Sequence, residues 1–225
     1  GHLYTMDVDP IELAKTQQRL ESLGYGSDIL TTRHMNFSEI DKIVLESGPL
    51  NFVLADLGVS SMQIDNPERG FSFKSDGPLD LRLNPQRGVS AAARLKTISQ
   101  AELEGMLIEN SDEPNAAVIA HAIVAAKNKG IDISTTTMLR QIITDALKCI
   151  PKDERKEETK KSCQRCFQAL RIDVNHEHEV LSLKNHFNVF TVKVSIVKLR
   201  PVLFDHHRKN VIPIVVLVLP NCVGL

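Results

Sequence analysis

The opening 56 residues alternate short apolar runs with helical patterns, and that alternation restricts what the chain can fold into. Leu3 to Val8 is an apolar run broken by Asp7, and Asp9-Pro10 then opens a helical pattern through Ile11, Ala14, Leu20 and Leu23 that ends at Gly24. Asp28 to Thr32 reads as a second strand, Phe37 to Ser47 as a second helix with Ile40, Ile43 and Val44 on one face, and Phe52 to Ala55 as a third strand. Strands separated by helices of about ten residues predict βαβ units and a parallel sheet, whose ligands sit beyond the carboxyl ends of the strands. Asp7 and Asp56 both fall at such ends.

Residues 59–88 change character, with glycines, prolines and dense charge in "SSMQIDNPERGFSFKSDGPLDLRLNPQRG". A connection this long is usually functional or disordered. Its interleaved Phe71, Phe73, Leu79, Leu81 and Leu83 predict a folded, partly buried loop. From Ser90 the pattern turns helical over Ile98 to Ile108, Ala116 to Asn128 and Thr135 to Ile150, which describes a small helical subdomain. Lys152 to Arg165 carries six basic and four acidic side chains, a solvated helix face or linker that also offers a place for RNA contact. Phe167 to Val174 resumes a helical pattern, and beyond about Val180 periodicity is lost. The apolar run Val211 to Leu219 reads as a buried strand or an aggregation-prone tail.

Length and composition narrow the classes. The chain has 225 residues, enough for one core with an insert, and a formal net charge of −1, so any nucleic-acid surface must be local. No stretch approaches the ~20 apolar residues of a membrane span. Four cysteines do not make a disulfide framework at this length and point to a reducing compartment. Cys163-x-x-Cys166 lacks the second pair that a structural zinc site needs, so no metal is expected.

The strand-end carboxylates have more than one use. Asp7 can accept hydrogen bonds from both ribose hydroxyls of a nucleoside cofactor, or serve as a cap; Asp9 is the better-placed cap. Asp56, ending a buried strand and followed by Gly58 and two serines, has little structural reason to be there unless something polar approaches.

Across residues 56–85, "DLGVSSMQIDNPERGFSFKSDGPLDLRLNP" closely resembles the signature of the small-subunit rRNA cytosine-N4 methyltransferases, the S-adenosylmethionine-dependent MraW-type family. Further matches lie at "MDVDP" (6–10), "HMNFSEI" (34–40), "RGVSAA" (87–92), "AHAIV" (120–124) and "FQALRIDVN" (167–175). The resemblance implies a Rossmann-like α/β methyltransferase sheet over residues 1–89 with a substrate loop at 59–88, a helical insert at 90–160, and a return to the core at 161–180. It implies S-adenosyl-L-methionine held by Asp7, Phe37, Asp56 and Gln63, with small-subunit rRNA or a ribosomal subunit as partner, in the cytoplasm or an organellar matrix.

Carboxylates and an amide supply directed hydrogen bonds and Phe37 a stacking face, although a core position also suits that ring. On the acceptor side a cytosine must leave its stack. Arg69, Asp76, Asp80 and Arg82 can grip phosphate and base edge while Phe71 or Phe73 stacks; the competing reading is an internal ion-pair network that fixes the loop. Asp56 is the candidate for aligning the two substrates, and no general base is assigned, because the cofactor carries an activated methyl group.

The resemblance also has edges. Relatives begin with a strand and a D-G-T-x-G-x-G-G-H turn, absent from this sequence. Without that first strand, the strands ending at Asp7 and Asp56 should face each other with unpaired edges inside the sheet. After "FQALRIDVN" the P-G-G turn and S-F-H-S-L-E-D motif of relatives are missing, so residues 181–225 read as a divergent or frameshifted tail. The expectation is therefore a truncated member of the family, either an enzyme or a catalytically inactive RNA-binding remnant.

Overall fold

The computed structural model describes residues 1–48, 50, 52–55, 58–177, 193–196 and 215–218. The chain divides into two units, Gly1–Ser61 with His178–Leu225, and Met62–Glu177.

In the first unit, β1 (Leu3–Asp7), α1 (Pro10–Ser22), β2 (Leu30–His34), α2 (Ile40–Ser47) and β3 (Phe52–Ala55) follow the expected alternation. Asp9 starts α1 as its cap: Oδ1 accepts from the amides of Ile11 at 3.0 Å and Glu12 at 3.4 Å, and Pro10 supplies a preset φ. The second strand starts two residues later than its pattern predicts, because the Gly26 carbonyl accepts from both Ile29 and Leu30 amides and holds that stretch in a turn. The second helix also starts late. Its first three residues, Phe37–Glu39, form a tight 3-10 turn opened by the Asn36/Glu39 capping box.

β1 and β2 run parallel with Asp7 opposite His34, so both end at the same edge of the sheet. Alternation puts Met6 on the face covered by α2, where Met6, Ile43, Leu50 and Val53 form the core and Tyr4, Met35, Phe37, Ile40 and Val44 pack against it. Thr5 and Asp7 take the opposite face.

The sheet order is β2-β1-β5-β3-β4, with β4 at Lys193–Ile196 and β5 at Val215–Val218. The expected gap between β1 and β3 is filled. β5 pairs with both, antiparallel, from Leu3↔Val218 to Met6↔Val215 and from Phe52↔Val218 to Ala55↔Val215. The sheet is therefore mixed rather than all parallel. Two facing edges of bare amides and carbonyls demand a partner, and the Val-Val-Leu-Val stretch has the propensity for a strand buried between neighbours.

In the second unit, α3 (Ser61–Asp65) leads through a 3-10 turn at Pro67–Arg69 into a long irregular segment, and then α4 (Ala91–Thr97), α5 (Gln100–Ser111), α6 (Ala116–Asn128), α7 (Thr136–Ala146) and α8 (Lys152–Val174) follow. Ser90, Ser99 and Thr135 are side-chain caps, and Ser99 with extended Ile98 splits the helical pattern into α4 and α5. The core is Leu79, Leu81, Leu95, Leu103, Ile119, Ile123, Leu139 and Ile143 with Phe167 and Leu170. The charged run Lys152–Arg165 is the first part of α8, one continuous helix with "FQALRIDV", so the insert boundary expected near residue 160 falls inside it. No helix of the described residues is long and apolar enough to cross a membrane.

Candidate functional site

The carboxyl end of β1 concentrates buried negative charge. Asp7 is 9% exposed, Glu12 3% and Asp9 fully buried. Asp7 Oδ1 accepts the Asp9 amide at 2.8 Å, while its Oδ2 is buried with no partner among the described residues. Desolvation pushes the Asp7 carboxyl up to about 7, against the lowering effect of the Asp9 amide, and the Asp9 and Glu12 carboxylates push it further. Glu12 shares the pattern: Oε1 takes Lys15 at 2.8 Å and Oε2 is an orphan, as is Thr5 Oγ1 on the same face of β1. A buried polar oxygen without a partner costs ~1–3 kcal/mol, and two on one face of β1 with a third on the first turn of α1 make this edge a place for donors supplied from outside the fold.

The segment bearing Phe37 is tied to this edge. The Met35 amide donates to the Asp7 carbonyl at 3.1 Å, and His34 Nε2 to the Val8 carbonyl at 3.1 Å. Phe37 itself is half-buried against the Met6–Ile43 core. Asp56 lies outside the described residues. Gln63 is buried on α3, within the second unit.

The loop residues of the second unit are organised differently. Arg69, 6% exposed, donates Nη2 to the carbonyls of Arg82 at 3.1 Å and Leu83 at 2.8 Å, and its guanidinium lies 5.5 Å from the Phe71 ring centre. Asp80 and Arg82 form a two-pronged pair at 2.8 and 2.7 Å, and Arg82 Nη1 reaches the Gly88 carbonyl at 3.3 Å. Asp76, exposed, accepts the Thr137 hydroxyl, which holds its carboxyl below the usual range. Phe71 is buried, and Phe73 meets Phe167 edge-on at 5.6 Å. The structure thus gathers Arg69, Phe71, Asp80 and Arg82 into one internal network and sets Phe73 and Asp76 against the helices.

Two glycines allow that network. A Cβ on Gly77 would sit 2.1 Å from the Pro67 carbonyl oxygen, and one on Gly70, whose φ is +70°, 2.2 Å from that of Pro78. Leu81 takes φ +63° in the core, with its amide on the Arg69 carbonyl. Asn175, the last residue of "FQALRIDVN", completes the arrangement by donating Nδ2 to the Leu81 carbonyl and accepting the Leu83 amide, both at 2.7 Å. Nearby, Asp173 takes Arg94 Nε at 2.9 Å. Sequence reasoning assigned Asn175 and Asp173 nothing. Their signal was an aspartate and an asparagine closing the apolar end of α8, where an asparagine side chain can reach neighbouring backbone.

Cys163 and Cys166 are buried free thiols, and burial pushes the Cys163 thiol up to about 12 and raises that of Cys166 as well. Both pack as core residues of α8.

With this geometry in place, comparison with known proteins is decisive. The profile of the MraW methylase family matches residues 1–198. The chain belongs to that family. It is 77% identical over 181 residues to a protein of Alkaliphilus metalliredigens named ribosomal RNA small subunit methyltransferase H 2, covering 80% of this chain and 52% of the relative. Over the same length it is 64% identical to ribosomal RNA small subunit methyltransferase H 1 of Lachnoclostridium phytofermentans, covering 80% and 50%. A relative in Halorhodospira halophila, ribosomal RNA small subunit methyltransferase H, is 39% identical over 180 residues. The chain spans about half the length of the curated relatives it matches. A family member should bind S-adenosyl-L-methionine, and the orphaned Asp7 Oδ2 fits that group, since ribose hydroxyls are the donors a strand-end carboxylate lacks.

Proposed function

We propose that this chain is the portion of a small-subunit rRNA methyltransferase that holds the ribose of S-adenosyl-L-methionine and shapes the substrate loop, for methyl transfer to the exocyclic N4 amine of a cytidine. The observation that carries this is the buried, partnerless Asp7 Oδ2 at the carboxyl end of a parallel strand, in a chain of this family. The bound cofactor supplies a methyl group already activated on sulfonium. The chain's residues bind and align. Asp7 accepts from the ribose, Phe37 lies toward the adenine, Gln63 contributes a hydrogen bond, and Asp56 orients the amine. Arg69, Asp80 and Arg82 hold the loop in shape, with Asp76 at its exposed corner.

A second reading, a catalytically inactive remnant, is favoured by the antiparallel β5. A strand entering the sheet in that sense offers no strand-to-helix turn of backbone amides between the ends of β1 and β3. Titration calorimetry with S-adenosyl-L-methionine separates the two. Saturable binding lost in Asp7→Ala and Asp56→Ala supports the enzyme; its absence in the unsubstituted chain supports the remnant. Because the ribose needs Asp7 as a carboxylate, the affinity should rise by up to about tenfold per pH unit between pH 5 and 7 and level off above. Mass spectrometry of rRNA from cells lacking the gene tests the reaction, and unchanged N4-methylcytidine would exclude it.

A further inference from the structure

The first half of α8 lines up three of its lysines. A four-residue step along a helix advances ~6 Å and turns by ~40°. Lys152, Lys156 and Lys160 therefore form one stripe, on the side that two turns later is buried as Cys163, Phe167 and Leu170. In the first turns that side has left the core, and all three lysines are exposed. None of them makes a hydrogen bond or ion pair with a described residue.

Asp153 and Glu157 border the stripe, each three residues before one of its lysines, while Glu154 and Glu158 lie on the far side. Glu158 pairs with Arg165 at 3.1 Å and Glu157 with Lys161 at 3.9 Å, while Asp153 and Glu154 sit in the first turn, where the helix dipole favours anions. Arg155, between the two sides, is committed to the carbonyls of Lys148 and Ile150, each at 2.6 Å. Three ammonium groups in a row thus stay without an ion pair to a described residue, in a chain whose net charge is −1.

We infer that the stripe Lys152–Lys156–Lys160 is a docking surface for an RNA phosphate backbone. This rests on the proposed rRNA substrate and adds the place where the strand is held. Ammonium groups engage phosphate as point charges. The stripe covers ~12 Å of helix, roughly the axial run of three or four phosphates on one strand. Residues 152–162 contain no aromatic or aliphatic anchor, so the surface lacks what a protein hot spot or a membrane-inserting helix needs. Lysines without arginine forks or stacking rings position a backbone and read no sequence.

The test uses the full chain and a fluorescein-labelled single-stranded RNA of about 20 nucleotides, followed by anisotropy from 50 to 300 mM KCl. Neutralising three phosphate contacts in K152Q/K156Q/K160Q should flatten the slope of log K against log salt by about 2 and weaken binding about 100-fold at 0.1 M. Arginine at the same three positions should keep the slope. Failure of the unsubstituted chain to bind, a slope change below one, or a loss that arginine does not restore overturns the inference. Calorimetry with S-adenosyl-L-methionine on the same triple variant keeps the two readings distinct. Unaltered cofactor binding with unaltered RNA binding removes the stripe alone, whereas absent cofactor binding in both chains removes the enzyme reading.

Discussion

The carboxyl end of β1 and the 67–88 loop are both dense in charge, and they treat it in opposite ways. At the end of β1 and the start of α1, Thr5, Asp7 and Glu12 each keep a buried oxygen without a donor among the described residues. In the loop, Arg69, Asp80 and Arg82 find partners within their own unit, and Asn175 at the end of α8 clasps the loop's backbone. The difference separates two causes of a distinctive sequence. A buried orphan is a cost that something outside the fold can offset, whereas a satisfied network is a cost already offset by the fold itself. The first region is where a ligand is expected; the second owes much of its particular spelling to its own architecture.

The sharpest way to break the second half of that contrast is at Gly77. A methyl group there would lie 2.1 Å from a backbone oxygen of Pro67, which no side-chain rotation relieves. Gly77→Ala should cost more than ~3 kcal/mol, at the upper end of overpacking effects. A urea midpoint close to that of the unsubstituted chain would mean the loop's tight crossing is not real.

Asp7 tests the other half. Its carboxyl is raised to about 7, chiefly by burial, against 3.8 in the unfolded chain. Below about pH 4 it is protonated in both states and costs nothing. As pH rises the unfolded chain releases the proton first, so stability falls until the folded carboxyl ionises near 7, and the loss persists above. Asp7→Asn removes this dependence. Between pH 5 and 8 the parent should lose ~2–3 kcal/mol relative to the variant in denaturant titrations. Parallel pH profiles would show that Asp7 is not the strained group of this edge.

Asn175→Ala comes next in size. Deleting the side chain strands the Leu83 amide and the Leu81 carbonyl, for about 2 kcal/mol, and should loosen the loop before the helices. Hydrogen exchange at residues 79–84 reads this directly, and unchanged protection there would remove Asn175 from the network.

How much of this was legible in the sequence follows from what each pattern encodes. The strand and helix alternation of residues 3–55 was readable because apolar periodicity and caps such as Asp9 act locally. β5 was not placed, since pairing register between residues 3–6 and 215–218 is a long-range fact, and a valine-rich run says strand without saying beside what. Asp7 was visible as a strand-end carboxylate; that it is orphaned was not. The loop charges were read as grip or as internal network, and only the 2.7–2.8 Å geometry of Asp80 with Arg82 and the Asn175 clasp display the network, because composition carries no distances.

The smallest effect falls on that pair. Asp80 and Arg82 have side chains about one-fifth exposed, so solvent screens part of their attraction. Their two-pronged geometry is better than that of an ordinary surface pair, yet Arg82→Ala should cost only ~1 kcal/mol in stability, and Arg82→Lys about as much, since an ammonium cannot reproduce the fork. The useful readout is salt. A pair that only braces the loop should leave RNA affinity and its salt slope unmoved when Arg82 becomes Lys or Ala, in contrast to the lysine stripe of α8. A fall in the salt slope of about 0.7 or more with Arg82→Ala would mean that the guanidinium reaches a phosphate after all, and the loop would then belong with β1 among the regions built for something outside the fold.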